Sequence, residues 1–103
     1  MKRSVVVTDA ASRQIRAVDR WWRENRSAAP ELFEYELTAV IESISTHPGL
    51  GRRYAHPSAS GVRRALLRRS RYHVYFLDTG DEIVVLAVWS AVRGSGPPLD
   101  AIG

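Results

Sequence analysis

The segment 61–76, GVRRALLRRSRYHVYF, combines five arginines with a histidine and contains no acidic residue. The arginines are Arg63, Arg64, Arg68, Arg69 and Arg71. A guanidinium group binds phosphates and carboxylates in planar, two-point contacts, and a histidine, with an ordinary pKa of about 6.5, is suited to proton transfer. The segment therefore fits three roles: catalysis on RNA, docking onto an acidic protein, and plain solubility.

His73 is the strongest catalytic candidate in this segment. Strand alternation places it on one face with Arg71 and Tyr75. A lone histidine on a strand is more often structural or solvated than catalytic, so both interpretations stay open. No histidines or carboxylates recur at the spacing of metal ligands, and we predict neither a metal nor another cofactor.

The charge is unevenly distributed along the chain. The net charge is +4, carried by one lysine and fourteen arginines against eleven acids. Residues 27–51 contain four acids and no basic residue, whereas residues 52–77 contain seven arginines and no acid. An arginine-rich composition can also reflect codon usage, but this polarity predicts a basic surface that attracts an anionic partner.

The totals indicate one domain over residues 1–103 with an ordinary globular composition. The absence of cysteine makes an intracellular, cytoplasmic setting natural. The longest apolar run, Ile83–Trp89, is too short to span a bilayer, so we expect no membrane contact.

Apolar spacing predicts two helices that form an antiparallel hairpin. The first has a stripe at Ala11, Ile15, Val18 and Trp22, with Thr8 or Asp9 as its N-cap. Trp21 lies beside that stripe, where partial burial against the second helix is expected. The second helix has its apolar face at Phe33, Leu37, Val40, Ile41 and Ile44 and ends before Pro48.

Strand patterns flank this hairpin. A β-branched strand precedes it at 4–8, and three strands follow at 62–69, 71–78 and 82–90. The last strand is apolar on both faces and is therefore placed centrally. The segment 49–61 is predicted as a loop, and the tail from Arg93 as loose or extended. The order β-α-α-β-β-β predicts an α+β fold with the helical hairpin on a mainly antiparallel twisted sheet.

Three stretches together resemble the RelE/ParE superfamily of toxins from type II toxin–antitoxin modules. They are ISTHPGLGRR after the second helix, VRRALLRRSRYHVYF in the sheet, and IVVLAVWSAVRG at the end of the last strand. The resemblance covers roughly residues 5–99. It implies a growth-arresting, plasmid-stabilising toxin neutralised by a ParD-like antitoxin that contributes an acidic amphipathic segment.

The superfamily has two activities on one scaffold, so the fold alone does not decide between them. Members similar to RelE cleave messenger RNA on the ribosome, and the residues here that could match their nuclease set are Arg64, His73 and Arg93. That set is incomplete, because the family's C-terminal tyrosine falls on Leu99. Members similar to ParE inhibit DNA gyrase, and the HPGLGR, VRR and VWSAVRG pieces look more like that branch. A non-toxic binding module on the same scaffold is the second alternative.

The resemblance also suggests two sets of contact residues. The expected target-binding residues are Arg64, Arg68, Arg69, Arg71, Trp89 and Arg93. Trp89 fits either the core or a stacking platform. The expected antitoxin-binding residues on the helices are Arg13, Arg20, Trp21 and Tyr35.

Overall fold

The computed structural model describes residues 2–92 and 94–99. Its elements are β1 (Ser4–Val7), α1 (Asp9–Asn25), α2 (Leu32–Thr46), β2 (Arg52–Arg53), β3 (Arg63–Leu67), β4 (Tyr72–Asp78) and β5 (Glu82–Ser90). The predicted β-α-α-β-β-β order is confirmed. One detail was missed: β2, only two residues long, lies inside the segment predicted as a loop.

The five strands form one sheet in the order β1-β5-β4-β3-β2. β1 runs parallel to β5, and every other pair is antiparallel. The central position predicted for the last strand is confirmed, since β5 lies between β1 and β4. Its apolar side chains on both faces account for that position, because a central strand is covered on both sides.

The two helices pack on one face of the sheet. Thr8 caps α1 by accepting the backbone N–H of Ala11 on its hydroxyl oxygen at 3.1 Å. Both predicted apolar faces are confirmed, and together with the strands they form the main core. Its buried residues are Ala11, Trp22, Phe33, Leu37, Ile44, Leu67, Val74, Phe76, Ile83, Val85 and Val88.

A second, smaller cluster covers part of the opposite face of the sheet. It consists of Val62, Tyr75, Leu86, Ala87 and Leu99. A bulge creates part of it: Tyr75 lies opposite Ala87 and Phe76 opposite Val85, so one extra residue of β5 is left between these pairs. Leu86 and Ala87 therefore both contribute to this cluster, although they are adjacent in sequence.

The tail is predicted to be loose or extended, and its described part, 94–99, contains no helix or strand but is held on the sheet rather than loose. Leu99 is only 5% exposed and packs into the second cluster. The indole N–H of Trp89 donates to the carbonyl oxygen of Ser95 at 3.1 Å, which fixes the start of the tail. Apolar burial holds these residues on the sheet. Across the described residues, neither helix has the length and hydropathy needed to cross a membrane.

Candidate functional site

The face of the sheet opposite the helices carries most of the chemically active side chains; we call it the open face. Strand register sets its rows, because directly opposed residues of antiparallel strands share a face. One row runs through Arg52, Arg64, Tyr75 and Ala87. The next row runs through Leu66, His73 and Trp89.

Arg64, on β3, lies in a cleft of about 350 Å³ on this face with Tyr54, His73 and Tyr75. Its guanidinium carbon is 5.0 Å from the centre of the Tyr54 ring, and Nη1 is 3.4 Å from the Tyr75 hydroxyl. No carboxylate pairs with Arg64 within the described part of the chain. The cleft therefore presents an uncompensated cation between aromatic rings, an arrangement that attracts an anion.

His73 shares the cleft and lies beside Arg64. Burial lowers the pKa of His73 below its ordinary value, and the positive charge of Arg64 lowers it further. The imidazole is therefore neutral at pH 7. A neutral imidazole can accept a proton, but Tyr75, whose ring centre is 5.9 Å away, is only 2% exposed and cannot reach a substrate.

A longer groove of about 490 Å³ follows the free part of β3; we call it the edge groove. β2 pairs only with Arg63 and Arg64, so the rest of β3 is an edge strand on this side. One wall is apolar, from α2 and the turn after it, and the other is cationic. The lining residues are Val40, Ser43, Ile44, Leu50, Arg52, Arg64, Ala65, Leu66, Arg68 and His73.

The expected arginine turn between β3 and β4 is present. Arg68, Arg69 and Arg71 are all exposed there, and none forms an ion pair with another described residue. Arg71 has a φ of +66°, in the left-handed region that residues with a Cβ seldom adopt. Its carbonyl oxygen accepts the N–H of Ala91 at 2.8 Å, so this turn is joined to the end of β5.

Of the other expected target contacts, Trp89 is half-buried on the open face. It is neither a fully buried core residue nor a fully exposed platform. Arg93 lies outside the described residues. Leu99, which occupies the position of the family's C-terminal tyrosine, is buried against the sheet and anchors the tail through apolar contact.

The four expected antitoxin contacts are all exposed on the helices. Trp21 is 43% exposed and therefore partly buried, as expected; its ring lies edge-on to that of Trp22, and the guanidinium carbon of Arg26 is 4.9 Å from its centre. Tyr35 borders a shallow groove that also includes Arg69. The structure therefore places one proposed antitoxin contact next to one proposed target contact. Arg13 and Arg20 lie on the exposed side of α1.

The sequence did not single out Tyr54 or Arg52. Tyr54 comes from the segment after β2, and its ring packs edge-on against Tyr75 with 4.9 Å between centres. Gly96 of the tail approaches the Tyr54 hydroxyl so closely that a Cβ on Gly96 would overlap it. A tyrosine in an arginine-rich loop was a sequence signal for a functional residue, but the position of Tyr54 depends on where that loop crosses the sheet.

A helical hairpin on one face of a five-stranded sheet, with arginines on and beside the other face, defines the architectural class of RelE/ParE toxins. The family model described as ParE toxin of type II toxin-antitoxin system, parDE, matches residues 5–93. The chain belongs to this family, and the resemblance noted in the sequence is confirmed on its ParE-like side.

Two solved structures are similar in fold. One is the chromosomal ParDE toxin–antitoxin system from P. aeruginosa, with a TM-score of 0.62 and 22% identity over 86% of this chain and 96% of that chain. The other is the toxin–antitoxin complex RelBE2 from Mycobacterium tuberculosis, with a TM-score of 0.59 and 19% identity over 87% of this chain and 99% of that chain. A search of curated proteins finds no significant match.

Proposed function

We propose that this chain arrests growth by inhibiting DNA gyrase in the cytoplasm and is neutralised by a ParD-like antitoxin. Membership of the ParE toxin family supports the toxin role. The observation that carries the choice of inhibition over cleavage is the burial of Leu99 and Tyr75 in one apolar cluster.

That burial argues against RNA cleavage because of what cleavage requires. Attack by a ribose 2′-hydroxyl needs a base, cations for the developing phosphate charge, and an acid for the leaving oxygen. His73 and Arg64 supply the first two within one cleft. The third is missing from the family's tyrosine position, since Leu99 has no proton to donate, and Tyr75 is covered. The other phenol of the cleft, Tyr54, has its hydroxyl against Gly96 of the tail.

Recognition of the target is assigned to arginines of the cleft and of the turn that have no acidic partner among the described residues. We propose Arg64, Arg68, Arg69 and Arg71 as its contacts, with Trp89 and Arg93 at the end of β5. Guanidinium groups that no described carboxylate neutralises remain available to carboxylates or phosphates of a partner. The backbone of the turn is held by other contacts, such as the hydrogen bond from the Ala91 N–H to the Arg71 carbonyl oxygen. The side chains of Arg68, Arg69 and Arg71 can therefore be replaced without unfolding the turn.

The antitoxin is proposed to contribute an acidic amphipathic segment that folds as it binds. Arg13, Arg20, Trp21 and Tyr35 are its proposed contacts on the helices. The edge groove extends this surface, since it joins an apolar wall to a cationic one. Apolar anchors would pack against α2 while carboxylates meet Arg52, Arg64 and Arg68.

Ribosome-dependent RNA cleavage, similar to that of RelE, is the second candidate. The neutral state of His73 beside Arg64 favours it, because a neutral imidazole is competent as a base. In that case Arg64, His73 and Arg93 would form the reacting set.

The deciding experiment measures both activities with the purified chain. We expect gyrase supercoiling to be inhibited and messenger RNA to stay intact in a translating extract. An Arg68→Ala, Arg69→Ala, Arg71→Ala triple variant should inhibit gyrase at least tenfold less, whereas Arg16→Ala, an exposed arginine of α1, should inhibit as the wild type does. Codon-specific cleavage that disappears in His73→Gln, with gyrase unaffected, would replace this proposal by the second candidate. If the chain shows neither activity and its expression does not arrest growth, the non-toxic binding module is the remaining interpretation.

A further inference from the structure

The outer edge of β1 is an unprotected strand edge. β1 ends the sheet, and among the described strands it pairs only with β5. Its three valines, Val5, Val6 and Val7, are 37%, 40% and 37% exposed. Natural proteins usually protect such edges with a charge, a proline or a bulge within the strand. Ser4–Val7 contains none of these.

The hydrogen-bond pattern shows which backbone groups are free. Ser4 and Thr8 donate their N–H groups to β5, at Asp81 and Val85. In a parallel pair, every second residue of a strand bonds to the neighbouring strand. Val6 therefore also bonds toward β5, whereas the N–H and C=O groups of Val5 and Val7 point away from the sheet.

The free edge has a defined start. Arg3 also points outward, but its N–H donates to the carbonyl oxygen of Ser45 in α2 at 2.9 Å. Among the described residues, the N–H and C=O groups of Val5 and Val7 are therefore unpaired, and the C=O of Arg3 also points outward.

We propose that β1 pairs antiparallel with β1 of a second copy of this chain, about a two-fold axis at Val6. In this register Val5 of each copy lies opposite Val7 of the other. Each such pair exchanges two hydrogen bonds, so four backbone bonds join the copies. The two Val6 side chains face each other across the axis.

Neighbouring registers fit less well. Pairing Val5 with Val5 would place Arg3 opposite Val7, and the Arg3 N–H is already bonded to Ser45. Pairing Val7 with Val7 would place Asp9 opposite Val5, although Asp9 is the first residue of α1 and leaves the strand direction. Of these three registers, only the one centred on Val6 pairs both the N–H and the C=O of Val5 and of Val7.

The charge distribution favours a second copy despite the net charge of +4. The two cations nearest the edge are neutralised within the chain, Lys2 by Glu42 at 2.8 Å and Arg3 by Asp78 at 2.6 Å. Asp9, at the end of the strand, is in no ion pair with another described residue and adds one negative charge near this edge. The arginine-rich strands β2 and β3 lie at the far side of the sheet.

An acidic partner would be drawn to that far side, and a basic partner would find little negative charge at β1. The pairing of two copies would leave both arginine-rich edges outermost. The dimer is therefore compatible with the proposed target and antitoxin contacts, and it does not depend on them.

The test exploits the two-fold axis. Sedimentation equilibrium of the purified chain should show twice the mass of 11.5 kDa at high concentration. Val6→Lys or Val6→Glu alone should weaken association about tenfold, because like charges then face each other. An equimolar mixture of the two variants should recover the double mass, since the facing charges become opposite.

Leu50→Lys and Leu50→Glu are the matched controls, because Leu50 is an exposed apolar residue of the edge groove. They should associate as the wild type does, and thermal unfolding should confirm that all four variants fold. A wild type that stays monomeric at every concentration would overturn the proposal, as would a dimer indifferent to the charge at Val6. Protection of the Val5 and Val7 amides from hydrogen exchange only after an antitoxin is added would also overturn it and assign the edge to that partner.

Discussion

The backbone N–H of Ser70 donates a 2.7 Å hydrogen bond to Oε1 of Glu36 and so ties the turn between β3 and β4 to α2. The second carboxylate oxygen of Glu36 accepts the N–H of Arg69 at 2.9 Å. One carboxylate therefore fixes the arginine turn through its backbone and leaves the guanidinium groups of the turn available to a partner.

Removal of this carboxylate should destabilise the fold. Glu36→Ala leaves two turn N–H groups without their acceptors, and we expect the free energy of unfolding to fall by about 1–2 kcal/mol. Urea denaturation at pH 7 measures this change. Glu42→Ala is the control, since Glu42 pairs with Lys2 on the exposed surface and should change stability by less than about 0.5 kcal/mol. Equal losses in the two variants would contradict the role assigned to Glu36.

The contribution of Glu36 should depend on pH. Burial raises the pKa of Glu36, but the hydrogen bonds from the Arg69 and Ser70 amides outweigh it and hold the pKa below its ordinary value. A carboxyl group with a lowered folded pKa stabilises the protein above its unfolded pKa and loses that effect as the pH falls through the folded pKa. The difference between wild type and Glu36→Ala should therefore be constant from pH 7 to about pH 5 and shrink below that. A difference that persists unchanged at pH 3 would exclude this linkage.

Replacement of Arg71 by glycine should stabilise the protein. Its φ of +66° costs a residue with a Cβ about 1 kcal/mol, and glycine adopts this conformation freely. We expect Arg71→Gly to raise the free energy of unfolding by about 0.5–1 kcal/mol, as measured by the urea midpoint. Arg71→Ala keeps the Cβ and is the control for loss of the guanidinium. A glycine variant no more stable than the alanine variant would show that the backbone there is not strained.

The elements that the sequence predicted are those with long periodic patterns. The stripes of α1 and α2 extend over three or more turns, and β5 has apolar side chains on both faces. β2 could not be predicted, because two residues, Arg52 and Arg53, show no alternation. The bulge at Leu86 was hidden for a related reason: where both faces of a strand are apolar, a change of face leaves no trace in the pattern.

The site was predicted in part. Strand alternation correctly placed His73 and Tyr75 on one face, and register added Arg64 beside them. The placement of Arg71 on the same strand face was wrong, because Arg71 lies in the turn before β4 with a positive φ. The sequence could not show that Tyr54 reaches the same cleft, since that depends on where a loop crosses the sheet. Nor did it show that Leu99 returns to pack on β4 and β5, because a single apolar residue in a tail has no local signal.

Leu99 should behave as a core residue. Truncation of a buried leucine costs about 2–5 kcal/mol in a rigid core, and a tail residue can relax, so we expect Leu99→Ala to lower the free energy of unfolding by about 2 kcal/mol. Carboxypeptidase should also trim the variant faster, because its tail is released from the sheet. Pro98→Ala, at an exposed neighbour, serves as the control. If both variants are trimmed at the wild-type rate, the anchor role of Leu99 is wrong.

The pKa of His73 should lie below its ordinary value, and the lowering should have two separable causes. Burial lowers the pKa of His73 most, and the charge of Arg64 lowers it further. Arg64→Gln should therefore raise the pKa measured by NMR titration without restoring it fully, because the burial remains.

The lowered pKa of His73 should also make the stability of the protein depend on pH. A histidine with a lowered folded pKa binds protons more readily when unfolded, so the protein should lose stability as the pH falls from about 7 toward the folded pKa. His73→Gln should remove this part of the loss, whereas His47→Gln, at the exposed end of α2, should not. An Arg64→Gln variant in which the pKa of His73 stays at its wild-type value would show that the two side chains do not interact, and the cleft would lose its main electrostatic feature.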